Sequence, residues 1–246
     1  MSDCGKLIER FTKVCERVKK AMEANGRDMN EVRLMAVSKI HPPSDVAALT
    51  THWRSIQHDL FTPLFGENYV QEALQKQDDV AKFLPAEALP EWHYIGTIQS
   101  RKAKEVAGRF ALIHSVDSLR LATRINNATD EGTTQRILIQ VNVGREEQKS
   151  GVMPEELNEL LLEVKQLPNI QVEGLMCLPP FFDEGEKSRP YFVDLRNLRD
   201  KAEQETGLSL PHLSMGMSHD MEVAIEEGAT FIRIGTDIFG PRPPKE

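Results

Sequence analysis

Short apolar segments alternate with longer amphipathic segments along nearly the whole chain. The short segments are rich in residues that favour strands, and we predict eight strands, at residues 33–38, 63–68, 92–96, 111–115, 136–143, 170–176, 210–214 and 230–234. Between them, apolar residues recur at every third or fourth position, which is typical of helices that bury one face. Because most of the strands lack an alternation of apolar and polar residues, the pattern indicates a parallel sheet covered by helices.

Residues 3–24, which precede the first strand, form an amphipathic helix in the same pattern. Its apolar positions share one helical face: Leu7, Phe11, Val14, Val18 and Met22. Asn25 and Gly26 end this helix, because both tolerate left-handed backbone geometry. Further along the chain, we expect Ser44 to cap the helix after the first strand and Asp117 to cap the helix after the fourth.

Eight strand–helix units in about 250 residues match the size of a closed (β/α)8 barrel, the TIM barrel. An open, doubly wound sheet is the alternative, but such a sheet normally carries a GxGxxG sequence after its first strand, and none follows residues 33–38. The chain shows neither an internal repeat nor a break in composition. We therefore predict a single domain spanning residues 1–246, an α/β TIM barrel preceded by one extra helix.

Composition and charge exclude several classes of protein. Lys and Arg number 30 and Asp and Glu number 38, and the formal net charge of −8 argues against binding to nucleic acid. No apolar run is long enough to span a bilayer, and the N-terminus lacks the apolar core of a secretory signal, so we expect a cytoplasmic protein that contacts no membrane. Three cysteines without a CxxC pair and seven histidines without HExxH spacing predict neither disulfides nor a metal site.

Lys39 follows the first predicted strand, and Pro42 and Pro43 mark the loop behind it. In a TIM barrel, the carboxyl ends of the strands carry the active site. A free lysine amine has a pKa of about 10.4 and is a weak nucleophile near neutral pH, whereas desolvation lowers that pKa and lets the amine form a Schiff base. Taken alone, Lys39 also fits a lysine that merely reaches from a strand end into water.

The loops after the seventh and eighth strands have the composition of a phosphate site. Residues 214–218 provide two hydroxyls, a glycine and the start of a helix, while Gly235 and Thr236 provide a glycine for close backbone approach and another hydroxyl. TIM barrels commonly bind phosphate with these two loops. Each loop alone would also fit a simple turn, with Ser218 as a helix cap, but their joint position favours a phosphate site.

Arg233 stands inside an otherwise apolar strand. A buried guanidinium needs an acceptor, which could be a carboxylate of the barrel or a ligand. A lysine that forms a Schiff base, a phosphate site and an arginine together match pyridoxal 5′-phosphate (PLP), whose aldehyde would bond Lys39 and whose ring nitrogen would accept a hydrogen bond from Arg233. Because arginine cannot accept a proton, the ring nitrogen would stay unprotonated, and the ring would stabilise carbanions less well than it does beside an aspartate.

The sequence resembles the pyridoxal phosphate homeostasis protein family, which is itself similar to the N-terminal barrel of alanine racemase. The matching stretches extend over nearly the whole chain: AVSK (36–39), FGENYVQE (65–72), WHYIGTIQSRK (92–102), HSVDS (114–118), IQVNVGREEQKSG (139–151), EGLM (173–176), LSMGMSHD (213–220) and FIRIGTDIFGPR (231–242). The resemblance implies PLP bound covalently to Lys39, with Arg233 at the ring nitrogen and Ser214, Gly235 and Thr236 around the phosphate.

The resemblance also implies positions near the cofactor for Asn68 and His93, with roles that it leaves open. Met215 is a candidate for packing on the cofactor ring, as is Met217, because methionine adapts to irregular apolar surfaces. Packing in the protein core is the alternative for both methionines. The predicted cofactor-binding set is therefore Lys39, Asn68, His93, Ser214, Met215, Arg233, Gly235 and Thr236.

Glu146 and Lys149, in the loop after the fifth strand, also match family positions, although we favour a solvated charged loop for them. The sequence departs from the family pattern at two places. Thr97 and Ile98 stand where the family more often has His or Pro followed by Leu, which leaves the contacts beside the third strand open. Segment 50–64 is atypical but lies outside the predicted cofactor site.

Three functions fit these residues. The first is a carrier that holds and releases PLP without turning over a substrate, and that supplies the cofactor inside the cell, with PLP-dependent apo-enzymes as recipients. The second is an amino-acid racemase, which needs an acid–base group on each face of the substrate. The third is a Schiff-base aldolase acting on a sugar phosphate, which would leave Arg233 unexplained.

In alanine racemase, as the family resemblance implies, a tyrosine from a second domain of the dimer partner supplies the opposing group. Because few residues follow the last predicted strand, we expect this chain to lack that domain, and its own tyrosines (Tyr69, Tyr94 and Tyr191) have no clear claim to the role. We therefore favour a monomeric carrier without catalytic residues over a racemase.

Overall fold

The computed structural model describes residues 3–56 and 62–241 of the chain. Eight parallel strands form one closed barrel in sequence order. They are β1 Arg33–Val37, β2 Leu64–Glu67, β3 Glu91–Tyr94, β4 Leu112–Val116, β5 Gln135–Val141, β6 Ile170–Cys177, β7 His212–Ser214 and β8 Phe231–Ile234. Strand β8 pairs with β1, so that Ile234 lies opposite Ala36. The predicted TIM barrel is therefore confirmed, and the open sheet is excluded because each strand has two neighbours.

Helices surround the barrel, and the first of them is the extra helix that the sequence predicts. The helices are α1 Asp3–Ala24, α2 Pro43–Ser55, α3 Val70–Val80, α4 Ala103–Val106, α5 Leu119–Asn126, α6 Leu157–Val164, α7 Arg189–Thr206, α8 Met221–Glu226 and α9 Thr236–Phe239. Helix α1 contacts α2, α8 and α9. The ring of Phe11 on α1 lies 4.5 Å, between centroids, from that of Trp53 on α2. Helix α1 therefore covers the segments on both sides of the seam where β1 meets β8.

Two helix caps differ from the sequence prediction. Helix α2 begins at Pro43, so Ser44 already lies within its first turn and is not the cap. Proline suits this position because its missing N–H would have no helical partner there. Helix α5 is capped by Ser118 rather than Asp117, since Ser118 Oγ accepts a 3.4 Å hydrogen bond from a backbone N–H of the first turn.

Segment 50–62, which we predict to be a helix end and an irregular loop, remains helical as far as Ser55. Trp53 explains this extension, because its side chain is buried and packs edge-on against Phe65 of β2, with ring centroids 6.0 Å apart. The rest of the predicted loop falls largely on residues 57–61, which lie outside the described residues.

Side chains along the strands alternate between two cores, except where the register shifts between β4 and β5 and between β5 and β6. On β1, Leu34 and Ala36 face the helices, whereas Met35 faces the barrel interior. The following apolar side chains fill the interior: Met35, Val37, Leu64, Ile95, Leu112, Leu138, Met176 and Phe231. The barrel is thus a packed core and not a channel. Arg233 follows Phe231 by two residues and therefore points to the same interior, near its carboxyl end.

Candidate ligand site at the carboxyl end of the barrel

A cavity of about 340 Å³ opens at the carboxyl ends of the strands, a volume within the range of small-molecule sites. Its lining includes five of the eight cofactor-binding residues that the sequence predicts: Lys39, Asn68, Arg233, Gly235 and Thr236. The other lining residues are Val37, His41, Ile95, Leu178, Phe181, Met217, Ser218, His219 and Gly240. Barrel closure thus brings together residues from six different strand ends and the loops that follow them.

The charge of the cavity differs in sign from that of the chain. Lys39 and Arg233 contribute cations and His41 and His219 contribute imidazoles, whereas none of the described residues that line the cavity is Asp or Glu. The whole chain carries a formal charge of −8. A basic concave surface on an acidic protein favours an anionic ligand.

The backbone just before Lys39 is anchored by a buried ion pair. Ser38 Oγ donates a 2.7 Å hydrogen bond to Glu67 Oε1, and the Ser38 carbonyl accepts a 2.6 Å bond from Lys76 Nζ. Lys76 Nζ also lies 2.7 Å from Glu67 Oε1, and the two side chains are 4% and 0% exposed. Burial raises the pKa of Glu67, and the neighbouring Lys76 opposes that rise. The position of Lys39 therefore depends on two charges inside the protein.

The backbone just after Lys39 is held in an unfavourable conformation. Ile40 has a φ of 63°, in the left-handed region that β-branched residues seldom adopt. Its N–H donates a 2.5 Å hydrogen bond to Glu72 Oε1, and Glu72 is itself paired with Lys76 at 2.9 Å. Backbone strain of this kind costs roughly 1–3 kcal/mol and persists where the surroundings impose it, commonly at functional sites.

Arg233 is a buried cation that has no acidic partner in the part of the chain that the structure describes. Its NH1 group donates to Ser214 Oγ at 2.7 Å and its NH2 group to the Cys177 carbonyl at 2.9 Å. Within the described residues, no carboxylate lies within ion-pair distance of the guanidinium, and burial lowers the pKa of Arg233. These two bonds use two of its five N–H donors. The side chain lines the cavity, so its remaining donors can serve a ligand there.

Three predicted cofactor-binding residues, Ser214, Met215 and His93, do not line the cavity. Ser214 and His93 are fully buried inside the barrel, and Met215 packs in the core between strands and helices. Ser214 instead accepts the hydrogen bond from Arg233 described above. The hydroxyl and the methionine that face the cavity from the loop after β7 are Ser218 and Met217.

Among the lining residues that the sequence analysis did not propose as ligand-binding, three carry aromatic or imidazole rings: His41, Phe181 and His219. His41 lies two residues beyond Lys39 in the same loop, and His219 directly follows segment 214–218, which we predict to bind phosphate, so both residues could have been recognised from their neighbours in the sequence. Phe181 is 72% exposed, and its ring centroid lies 5.0 Å from that of His219. The loop after β6 holds no polar motif that would have marked Phe181.

Helix α1 ties together the two loops of the predicted phosphate site. Arg17 Nε pairs with Glu222 Oε1, at the start of α8, at 2.7 Å, and Arg17 NH1 pairs with Asp237 on α9. Arg17 NH2 also donates to the Ser218 carbonyl at 3.2 Å. One arginine outside the cavity thus fixes the relative position of the loops after β7 and β8.

The loop after β5 is held by contacts of its own. The Asn142 side chain donates to the Glu146 carbonyl at 2.9 Å and accepts from the Glu146 N–H at 3.2 Å. Lys149 Nζ pairs with the Glu146 side chain and donates to the Pro179 carbonyl at 2.9 Å. None of these residues lines the cavity, so the loop acts as a brace between β5 and the segment after β6.

In residues 3–56 and 62–241, no group of three or more His, Cys, Asp or Glu side chains is arranged to hold a metal ion. No helix in that part of the chain is both long and apolar enough to cross a membrane. Cys4, Cys15 and Cys177 are free thiols.

The chain is similar to known proteins over nearly its full length. The model of the family described as "Alanine racemase, N-terminal domain" matches residues 15–243. The pyridoxal phosphate homeostasis protein of Aquifex aeolicus is 46% identical over 95% of this chain and 97% of its own. The protein of the same name from Pseudomonas aeruginosa is 42% identical over 96% of each chain.

Solved structures show the same relationship. PipY of Synechococcus elongatus, in a structure with PLP bound, is 34% identical, superposes with a TM-score of 0.77, and is matched over 95% of this chain and 100% of its own. Alanine racemase from Corynebacterium glutamicum is 17% identical with a TM-score of 0.69, over 98% of this chain and 62% of its own. This more distant similarity concerns the fold alone.

Proposed function

Because the chain belongs to the pyridoxal phosphate homeostasis protein family, we propose that it binds PLP in the cavity at the carboxyl end of its barrel. The observation that carries the proposal is the joint presence of Lys39, from the end of β1, and Arg233, from β8, in one basic cavity. Lys39 holds the cofactor as a Schiff base, whose C=N bond forms between the lysine amine and the aldehyde with loss of one water. Arg233 donates to the ring nitrogen, and Ser218, Gly235 and Thr236 surround the phosphate.

The residues of the cavity fit this cofactor. Asn68 Oδ1 is buried without a hydrogen-bond partner among the described residues, and a buried polar atom of this kind needs one. A Cβ atom on Gly235 would meet Val37 only in ordinary contact, at 3.5 Å, so the fold does not require glycine there. The missing side chain instead leaves room in the cavity. The cofactor would supply an electron-withdrawing ring, and Arg233, which cannot accept a proton, would keep the ring nitrogen unprotonated.

We further propose that the protein stores and supplies PLP in the cytoplasm, as a monomer, and does not turn over a substrate. Racemisation requires an acid–base group on each face of the substrate. None of the three tyrosines lines the cavity: Tyr69 is exposed, the Tyr94 hydroxyl donates to the Asn68 carbonyl, and Tyr191 stacks on Phe182. PLP-dependent apo-enzymes would receive the cofactor. The alternative, a PLP-dependent amino-acid racemase, would have to use other groups.

The purified protein should be yellow, and Lys39→Ala should abolish the absorption and the covalent linkage. Borohydride reduces a C=N bond to a stable C–N bond, so peptide mapping after reduction should find the cofactor on Lys39. Lys104→Ala, at an exposed lysine on α4 outside the cavity, is the matched control and should behave like the wild type. A reduced label on another residue, or a colourless protein that takes up no added PLP, would refute the proposal. Interconversion of L- and D-alanine at ordinary enzymatic rates would instead favour the racemase.

Arg17→Gln should weaken PLP binding about tenfold, which corresponds to about 1.4 kcal/mol. Without the contacts of Arg17 with Glu222 and Asp237, the two loops are no longer held together. Ordering them on binding then reduces the net free energy of PLP binding. The measurement is a spectral titration with PLP. Lys13→Gln is the matched control, because Lys13 lies on the same helix and pairs with Glu9 on the exposed surface. Equal affinities of both variants would show that α1 does not organise the phosphate loops.

A further inference from the structure

A chain of hydrogen bonds runs from the cavity through the barrel interior to its opposite end. Arg233 NH1 donates to Ser214 Oγ at 2.7 Å, and Ser214 Oγ lies 2.8 Å from His114 Nδ1. His114 Nε2 lies 2.9 Å from His93 Nδ1, and His93 Nε2 lies 2.7 Å from Glu91 Oε1. Four strands contribute one or two residues each. We name this chain of five residues the Arg233–Glu91 relay.

The two ends of the relay determine the direction of every bond in it. A guanidinium can only donate and a carboxylate can only accept. Burial lowers the pKa of His93 to about 4 and that of His114 well below its ordinary value, so both rings are neutral near pH 7. A neutral imidazole has one donor and one acceptor nitrogen. His93 must therefore donate from Nε2 to Glu91 and accept at Nδ1.

The same reasoning fixes the remaining bonds. Since His93 Nδ1 accepts, His114 must donate from Nε2 and accept at Nδ1. Ser214 then donates its hydroxyl proton to His114 and accepts from Arg233. Every bond of the relay is directed from the cation at the cavity to the anion at the far end, and both histidines carry their proton on Nε2.

The far end of the relay reaches the surface. Glu91 pairs with Arg33 NH2 at 2.7 Å, and these two side chains are 24% and 30% exposed. Between the ends, the rings of His93 and His114 each pack edge-on against Phe231, with centroids 5.3 Å apart in both cases. The middle of the relay is therefore enclosed in an apolar interior, where hydrogen bonds are electrostatically strong and unpaired polar groups are costly.

We propose that His114, His93 and Glu91 are positioning residues, which hold Arg233 through Ser214 and couple its cofactor-facing guanidinium to the negative charge of Glu91. This inference rests on the proposed function, because it assigns a purpose to Arg233. Arg233 has no carboxylate partner among the described residues, and the relay supplies a directed path to one. His93 and Ser214 thus act on the cofactor through Arg233 and not by contact.

The first test needs no cofactor. In the wild-type protein with ¹⁵N-labelled histidine, two-bond ¹H–¹⁵N correlation spectra at pH 7 should show both His93 and His114 as the neutral tautomer protonated on Nε2. A proton on Nδ1 of either ring, or a doubly protonated ring, would overturn the relay as described. This outcome is independent of PLP binding, so it separates a failure of the relay from a failure of the proposed function.

The second test removes the charge at the far end and keeps the shape. Glu91→Gln can still accept from His93, but it should weaken PLP binding about tenfold and shift the absorption maximum of the bound cofactor. Glu173→Gln is the matched control, because Glu173 pairs with Arg136 at 2.8 Å, on strands of the same barrel, outside the relay. If Glu91→Gln binds PLP with wild-type affinity and spectrum, the relay has only a structural role and the proposal is wrong, while Lys39 and the cofactor remain assigned.

Discussion

Replacing Lys76 with methionine should lower the free energy of unfolding by about 3–5 kcal/mol, the usual cost of removing one partner from a buried ion pair. Lys76 donates to Glu67, to Glu72 and to the Ser38 carbonyl, and its side chain is only 4% exposed. Methionine matches the length of the aliphatic stem but offers no donor. Chemical denaturation followed by circular dichroism measures the effect. Glu67 would then be a buried acid with no cation beside it.

A double variant separates the lost ion pair from lost packing. Lys76→Met combined with Glu67→Gln removes both charges, so much of the stability should return, because an apolar or neutral replacement of a buried pair is often close to neutral. If the double variant is as unstable as Lys76→Met alone, the damage comes from packing and not from the stranded carboxylate.

The ion pair between Lys76 and Glu67 also predicts how the stability of the Lys76→Met variant depends on pH. Burial raises the pKa of Glu67 above its unfolded value, and without Lys76 only the hydrogen bond from Ser38 opposes that rise. A raised carboxyl pKa means that the folded state binds more protons than the unfolded state, so stability falls as the pH rises through this range. The variant should therefore be closer to wild-type stability at pH 5 than at pH 8. The opposite trend would show that Glu67 is not the group responsible.

The barrel could be predicted because its signal is local and repeated. Each buried strand appears as an apolar run, and each covering helix shows its own period. Lys39 and Arg233 could be predicted for a related reason. Each is a charged residue in or next to an apolar strand, and burying a charge there costs free energy unless a partner or a ligand compensates for it. The comparison with known proteins confirms the family resemblance on which the PLP prediction also depended.

The choice between Ser214 and Ser218 could not be made in the same way. Both hydroxyls lie in one short segment, and composition does not tell which of them faces the cavity. Strand β7 ends at Ser214, whose side chain therefore still points into the barrel, and the chain reaches the cavity only at Met217 and Ser218. The end of a strand is the feature that sequence patterns locate least well.

The Arg233–Glu91 relay could not be predicted from the sequence, for a different physical reason. His93 and His114 meet because β3 and β4 pair in a register that places His93 opposite Leu112. A shift of one residue would turn every side chain of a strand to the other face. No local pattern specifies such a register, and two histidines in separate strands look like two unrelated core residues until the strands are paired.

Lowering the pH from 7 to 4 should cost the protein about 3 kcal/mol of stability through His93 alone. Burial depresses the pKa of His93 to about 4, although Glu91 opposes the shift, and an unfolded histidine titrates near 6.5. Since the unfolded state binds the proton at the higher pH, this contribution is present above about pH 6.5 and is lost as the pH falls towards 4. His114, whose pKa burial also depresses, should add to the loss in the same range.

A comparison of variants isolates this effect, because protonating His93 places Nδ1–H against the N–H of His114 and breaks the relay. His93→Gln cannot titrate, so its stability should change less than that of the wild type between pH 6.5 and 4, even if it is lower at pH 7. His212→Gln is the control. His212 is 25% exposed and also packs on Phe231, so its removal should change the slope of stability against pH less than His93→Gln does. Denaturation curves at half-unit pH steps measure both slopes. If wild type and His93→Gln lose stability in parallel, His93 is not a neutral buried base, and the direction assigned to the relay fails with it.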